Sequence, residues 1–252
     1  MMNFANRLLP LLLPSAILTW WQVCATTGIL DPLFFPPPTK LVSTAVEMFR
    51  AGELGAHIRV TFTRAGVGFL FGATAGILSG VAMGSSRTMF RLAEPIVSAL
   101  YSTPKMTLLP MLMLLVGIGE TPRIIVISAT AFLLVAFHTI DGIHGVSPHY
   151  VEMASNAGAS LWRVFRRVYL PASTPQIFTG LRLGAVRALV ATLTVEIVSA
   201  RTGLGSLIWF SWATFSTERL YVAVITVTIL GSLVHQSLRY FERRLVPWRR
   251  PV

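Results

Sequence analysis

Lys105, Arg187 and Glu196 are charged side chains set within long apolar stretches, and Lys105 directly follows Pro104. A charge at the centre of a membrane helix costs roughly 2.5–3.5 kcal/mol on insertion scales, so each is a candidate for guiding a solute along a translocation pathway. The residue before Pro104 is pushed out of the helical region. A helix broken there is tolerated only where protein or a water-filled cavity covers the freed backbone. Lys105 is therefore expected to look inward, where an ammonium favours an anion. The alternatives are pairing with Glu94 or Glu120, or reaching towards a headgroup. Arg187 and Glu196 are nine residues apart and so lie on opposite helix faces, unable to pair within one helix. Arg187 suits a salt bridge or a snorkelling position. Glu196 suits an outer gate or a structural bond to Arg201.

Other chemistries find little support. His138, His144 and His235 are scattered, without metal-ligand spacing, and read as packing or interfacial residues. There is no Gly-x4-Gly-Lys-Ser/Thr phosphate loop, so no ATP site of that kind in this chain. Gly-x-Ser-x-Gly, His-Glu-x-x-His and paired catalytic carboxylates are missing too, which disfavours a membrane-embedded enzyme. No cofactor or metal site is expected in the chain.

Apolar residues make up 54% of the 252 and charged ones 12%, against roughly 25% charged in soluble domains. That composition predicts an all-α membrane protein, a single domain over 1–252 with its core at about 56–240. Six stretches are long enough to span a bilayer: Leu8–Ile29, Val60–Met83, Ile96–Ile118 interrupted by Pro104 and Pro110, Ile124–Ile143, Ile177–Ala200 and Tyr221–Leu238. The first has Arg7 before it and no Ala-x-Ala site, which reads as an uncleaved anchor. The lone Cys24 allows no internal disulfide.

The net charge of +11 is not spread as a nucleic-acid surface would be. Arg239, Arg243, Arg244, Arg249 and Arg250 crowd the C-terminal stretch, Arg163, Arg166 and Arg167 sit in a polar loop, and Arg87 and Arg91 flank a span. Basic ends of this kind face the cytoplasm and anionic headgroups. With six spans, both termini are expected there. The Asp31–Arg59 segment falls outside. Arg50, Arg59 and Arg64, at or near that side, weakly violate the charge rule, with Glu47 and Glu53 available to offset them. The Pro36-Pro37-Pro38 run cannot continue a helix.

The polar loop, about 147–174, has its own logic. Ser147 is placed to cap a helix with Pro148 at its first position. Val151–Ala157 would be helical, and Gly158 is a natural left-handed stop. Ser160 could cap a second short helix over Leu161–Phe165, which Pro171 would end, with Thr174-Pro175 opening the fifth span. Two short helices at a sharp angle make a compact knob; the bland alternative is an amphipathic pair resting on lipid. In the second span Gly68, Gly72, Gly76, Gly80 and Gly84 recur every four residues, on nearly one face. Such a row permits close helix crossing in lipid, as intrabundle packing or at a dimer seam.

The spacing Glu152-x-Ala154-x3-Gly158-x9-Val168-x-Leu170-Pro171 resembles the EAA loop of permease subunits of bacterial ABC importers. The strict consensus has Ala where this chain has Met153. The likeness covers roughly residues 20 to 245. Pro104-x5-Pro110 with Gly117-Ile118-Gly119-Glu120, Leu181-Arg182 with Arg187 and Glu196, and Gly203-Leu204-Gly205 are similar to the nitrate/sulfonate/taurine branch. The resemblance implies a type I importer permease fold in the bacterial inner membrane. Glu152, Met153, Ala154, Gly158, Ala159, Leu170 and Pro171 would then dock on a separate ATPase. It also implies two ATPase subunits per complex carrying the ATP and Mg, a second permease copy as a homodimer, an extracytoplasmic solute-binding protein, and no nucleic acid. The branch mostly carries small anions, though some members carry neutral or cationic vitamin precursors. The competing reading is an ion-coupled secondary transporter using Glu196 or Lys105. It calls for inverted repeats and midplane carboxylates, which are not evident.

Overall fold

The computed structural model describes residues 4–248, with side chains from residue 12 onward. Among the described residues the chain is helical, without strands. The helices are α1 (Phe4–Thr26), α2 (Pro38–Arg50), α3 (Glu53–Ser85), α4 (Arg87–Ser102), α5 (Leu109–Val116), α6 (Glu120–His144), α7 (Pro148–Asn156), α8 (Leu161–Val164), α9 (Leu170–Ser199), α10 (Leu204–Ala213) and α11 (Thr217–Leu245).

α6 is the axis of the bundle, with α3 on one side and α9 on the other. Its Ile127, Ala131, Val135 and Ala136 are fully buried. Lipid offers no hydrophobic push between helices, so backbones must approach closely, and glycine supplies the approach. A methyl group added at Gly76 would sit 2.8 Å from the Phe132 carbonyl oxygen, and one at Gly80 2.6 Å from Thr139 Cβ. Gly68, Gly72 and Gly84 meet α6 in the same way. The row is thus the α3–α6 seam inside one chain. Gly180 and Gly184 of α9 repeat the device against His138 and Val135 on the other flank of α6.

Among the described residues three helices, α3, α6 and α11, are long and apolar enough to cross a membrane. Two bent pairs raise the total to as many as five. The expected first span begins outside the residues whose side chains are described and continues along α1. The expected third span is not straight. Thr103, before Pro104, is extended (φ −74°, ψ 130°), and the helices on either side turn by 89°. Pro110, expected to interrupt a helix, opens one, within the first two positions of α5, where its missing N–H costs nothing. Pro38 does the same for α2. The expected fifth span is followed by a separate helix, α10, at 45°.

Pro171 also departs from expectation, since it ends nothing. Between α8 and α9 the chain makes a π-helical turn over Phe165–Tyr169, and the Leu170 N–H bonds back to the Phe165 carbonyl. This one-residue slip in register places Pro171, which has no N–H to give, in the first turn of α9.

Candidate functional site

Two polar regions lie at opposite ends of the bundle. One is the loop between α6 and α9. Ser147 and Ser160 occupy the expected capping positions, but neither side chain makes the capping bond. Pro148 at the first position of α7 already removes one N–H that would need a partner. The other end of α7 closes as the sequence predicts. Gly158 is left-handed at φ +76°. Its N–H bonds to the Ser155 carbonyl at 2.9 Å, and the Ala159 N–H bonds to the Ala154 carbonyl at 3.1 Å. That pair of bonds is a Schellman stop.

α7 buries no residue. Glu152 is exposed and has no bonding partner among the described residues, and Met153 is 69% exposed, Tyr150 63%. Leu161 is 90% exposed, and Trp162, also exposed, stacks on Phe165 with centroids 5.8 Å apart. A hollow on the knob is lined by Tyr150, Met153, Ala154, Val168, Pro171 and Trp248, among others. The two halves of the motif, more than ten residues apart in sequence, therefore form one surface. Ala159 is half-buried beside it and Leu170 is exposed at the start of α9. Behind the knob, Arg182 of α9 pairs with Glu242 of α11 at 2.7 Å.

At the other end lies a buried charge network that the sequence reading missed. Arg64 of α3 is 5% exposed, Arg123 of α6 8%, and Glu196 of α9 0%. Arg64 holds Glu120 with two parallel bonds of 2.7 Å and donates to Glu196 at 2.9 Å. Arg123 donates to the same Glu120 at 2.6 Å, to the Ser199 hydroxyl at 3.1 Å and to the Ser199 carbonyl. Two arginines and two glutamates leave the cluster neutral; both arginines and Glu196 are buried, whereas Glu120, which takes the bidentate pair, has its side chain 56% exposed.

The same cluster caps α10. The Leu204 N–H bonds to the Thr61 hydroxyl at 2.8 Å and the Gly205 N–H to Glu196 at 2.9 Å, while Thr61 donates to Glu196. Orphan N–H groups of one helix are thus satisfied by side chains from two others. Gly203 sits over the Glu196 carboxylate at φ +116°, leaving no room for a side chain, and His57 Nδ1 lies 2.8 Å from its carbonyl oxygen.

Several expected pairings are replaced. Glu196 bonds to Arg64 instead of Arg201, which lies exposed beyond the end of α9. Glu53 takes Arg219, so Arg64 is offset by Glu120 and Glu196. Lys105 meets neither Glu94 nor Glu120. Its ammonium donates to the Tyr101 carbonyl at 2.9 Å and lies 5.4 Å from the Tyr101 ring, satisfying a terminal carbonyl of α4. Arg187 is exposed and Glu196 buried on α9, as their nine-residue separation requires. His138 meets Gln176 at 3.2 Å and His144 the edge of Phe90. Arg64 carried one signal in the sequence, its violation of the charge rule.

Comparisons with known proteins bear on the family and the fold. The family described as "Binding-protein-dependent transport system inner membrane component" matches residues 72–247. The chain is 30% identical over 239 residues to a Bacillus subtilis protein designated aliphatic sulfonates transport permease SsuC, covering 95% of this chain and 87% of that one. It is 30% identical to the taurine transport system permease TauC of Escherichia coli, covering 93% of this chain and 87% of that one. Among solved structures, a chain of the MetNI methionine ABC transporter in inward-facing conformations aligns with a TM-score of 0.66 at 20% identity, over 73% of this chain and 92% of that one. That last likeness speaks for the type I permease fold.

Proposed function

The chain belongs to the family of binding-protein-dependent transport system inner membrane components, and on that premise we propose that it imports a small anion of the sulfonate or taurine kind, driven by ATP hydrolysed on separate subunits. The solute class follows the designations of SsuC and TauC. The observation that carries the energy coupling is the knob. Its motif residues converge on one exposed surface, and the Schellman stop at Gly158 fixes the angle between its two halves.

On this reading, two ATPase subunits supply ATP and Mg, and each of two copies of this chain presents one knob to one ATPase. A solute-binding protein delivers the anion at the opposite end. The knob end faces the cytoplasm, as do both termini, in keeping with Arg163, Arg166, Arg167, Arg239, Arg243 and Arg244 near it. Closure of the ATPases pushes on α7, and the rigid α3–α6–α9 seam carries the movement across the membrane. Ion coupling through Glu196 is disfavoured, because that carboxylate is already engaged by Arg64, Thr61 and Gly205.

The test is uptake by the reconstituted complex. Labelled taurine or an alkanesulfonate should accumulate only with ATP, the ATPase and the binding protein present. Accumulation driven by an ion gradient without ATP would overturn the reading, and ATP-dependent uptake of a neutral or cationic solute alone would overturn the solute class.

A further inference from the structure

We propose that α2 lies in the lipid–water interface at the network end, with Val42, Val46 and Phe49 immersed in the lipid of that leaflet. The apolar surface of this 13-residue helix is wider than the part the protein covers. Leu41 and Met48 are buried, Met48 against Leu54, Leu207 and Val222. At about 100° per residue, Phe49, Val42 and Val46 fall on the adjoining arc, and they are 67%, 64% and 43% exposed. Lys40, Ser43, Glu47 and Arg50 occupy the remaining arc and are exposed. One helix therefore presents three surfaces in order: protein, bare aliphatic and aromatic, then polar. Water at the middle surface would leave it unsatisfied, and lipid satisfies it with the polar arc turned outward.

Lipid is favoured over a protein partner by continuity. The start of α2 is pinned to α1 by two bonds, Gln22 Nε2 to the Thr39 hydroxyl at 3.2 Å and the Thr39 N–H to Gln22 Oε1 at 3.1 Å. Leu18, one turn before Gln22 on the same face of α1, is exposed as well, and α1 carries further exposed apolar side chains at Ile17 and Trp20. Lys40 and Arg50 sit where long basic side chains reach headgroups. The inference rests on the chain being an inner-membrane protein and is independent of the solute and of ATPase docking.

Spin labels placed through Val42→Cys, Val46→Cys, Phe49→Cys, Ser43→Cys and Glu47→Cys test it in the full chain, reconstituted in vesicles of phosphatidylethanolamine and phosphatidylglycerol. Cys24 is 5% exposed, and the parent chain checks that it takes up no label. Collision with dissolved oxygen should exceed collision with a water-soluble nickel chelate several-fold at Val42, Val46 and Phe49, with the order reversed at Ser43 and Glu47. Stripe positions as open to nickel as Ser43 would place the stripe in water. Stripe positions shielded from both reagents would mean that a protein covers it. Either result overturns the proposal.

Discussion

At one end of the α3–α6–α9 bundle Glu196 is fully buried and its oxygens meet Arg64, Thr61 and the Gly205 N–H. At the other end Glu152 stands exposed on α7 with no partner among the described residues. Two glutamates in one chain thus have opposite relations to their surroundings. The network end spends its charges internally, on tying α3, α6, α9 and α10 together. The knob end spends its bonds on shaping the backbone at Gly158 and leaves its side chains outward. A bonded, neutral, largely buried cluster does architectural work, whereas a rigid backbone carrying unbonded side chains suits a partner. Substitutions at the two ends should therefore fail in different ways.

The largest effect is expected at Glu196. Glu196→Leu removes one partner of a buried pair and strips a capping oxygen from α10, a change of about 3–5 kcal/mol. Folded protein recovered from membranes should fall sharply, with a steep drop in melting temperature. Replacing both charges, Arg64→Met with Glu196→Leu, should recover part of the loss. A single variant that melts like the parent would remove the architectural role of the network.

Gly76→Leu comes next. The obstacle is the Phe132 backbone carbonyl, which cannot swing aside, so overpacking of about 1–3 kcal/mol follows. Gly66 on the same helix has open space around it, and Gly66→Ala should leave melting unchanged or slightly raised, alanine being the better helix former. Equal behaviour of the two variants would mean that the α3–α6 seam is not close-packed.

Gly158→Val should be smaller in stability and larger in function. A β-branched residue at positive φ costs about 1–3 kcal/mol, confined to a surface loop. The chain should stay in the membrane and melt within a few degrees of the parent, yet fail to co-purify with its ATPase. Glu152→Lys should have the same phenotype without the strain. Normal uptake by both variants would separate the knob from coupling.

The smallest structural effect belongs to Lys105→Met. It deletes one bond to the Tyr101 carbonyl, about 1 kcal/mol. Stability and basal ATP hydrolysis should hold while anion uptake falls. Full uptake would take Lys105 out of the pathway.

The knob was largely legible in the sequence because it is local. Pro148 and Gly158 act within a turn or two, and the glycine row repeats at helical period, whereas the serine caps read from Ser147 and Ser160 do not form. The failures have a common physical origin. Arg64 and Glu196 are 132 residues apart, and nothing in either neighbourhood names the other. The buried carboxylate read locally as a match for nearby Arg201. α2 and α10 are not legible because the proline run at Pro38 reads as a breaker and because α10 follows so soon after α9. The role of Pro171 depended on a π-turn, a change of register that no residue type announces.

The central claim, that the knob is the docking surface and the network end is not, is tested most directly by cross-linking in the assembled, transporting complex. Cysteines introduced singly through Met153→Cys and Ala159→Cys, joined by a short bifunctional reagent, should capture the ATPase subunit in a yield that changes when ATP is added. A cysteine introduced through Arg201→Cys should capture none. Transport-competent complexes in which neither knob position reaches the ATPase, or in which Arg201→Cys does, would contradict the account.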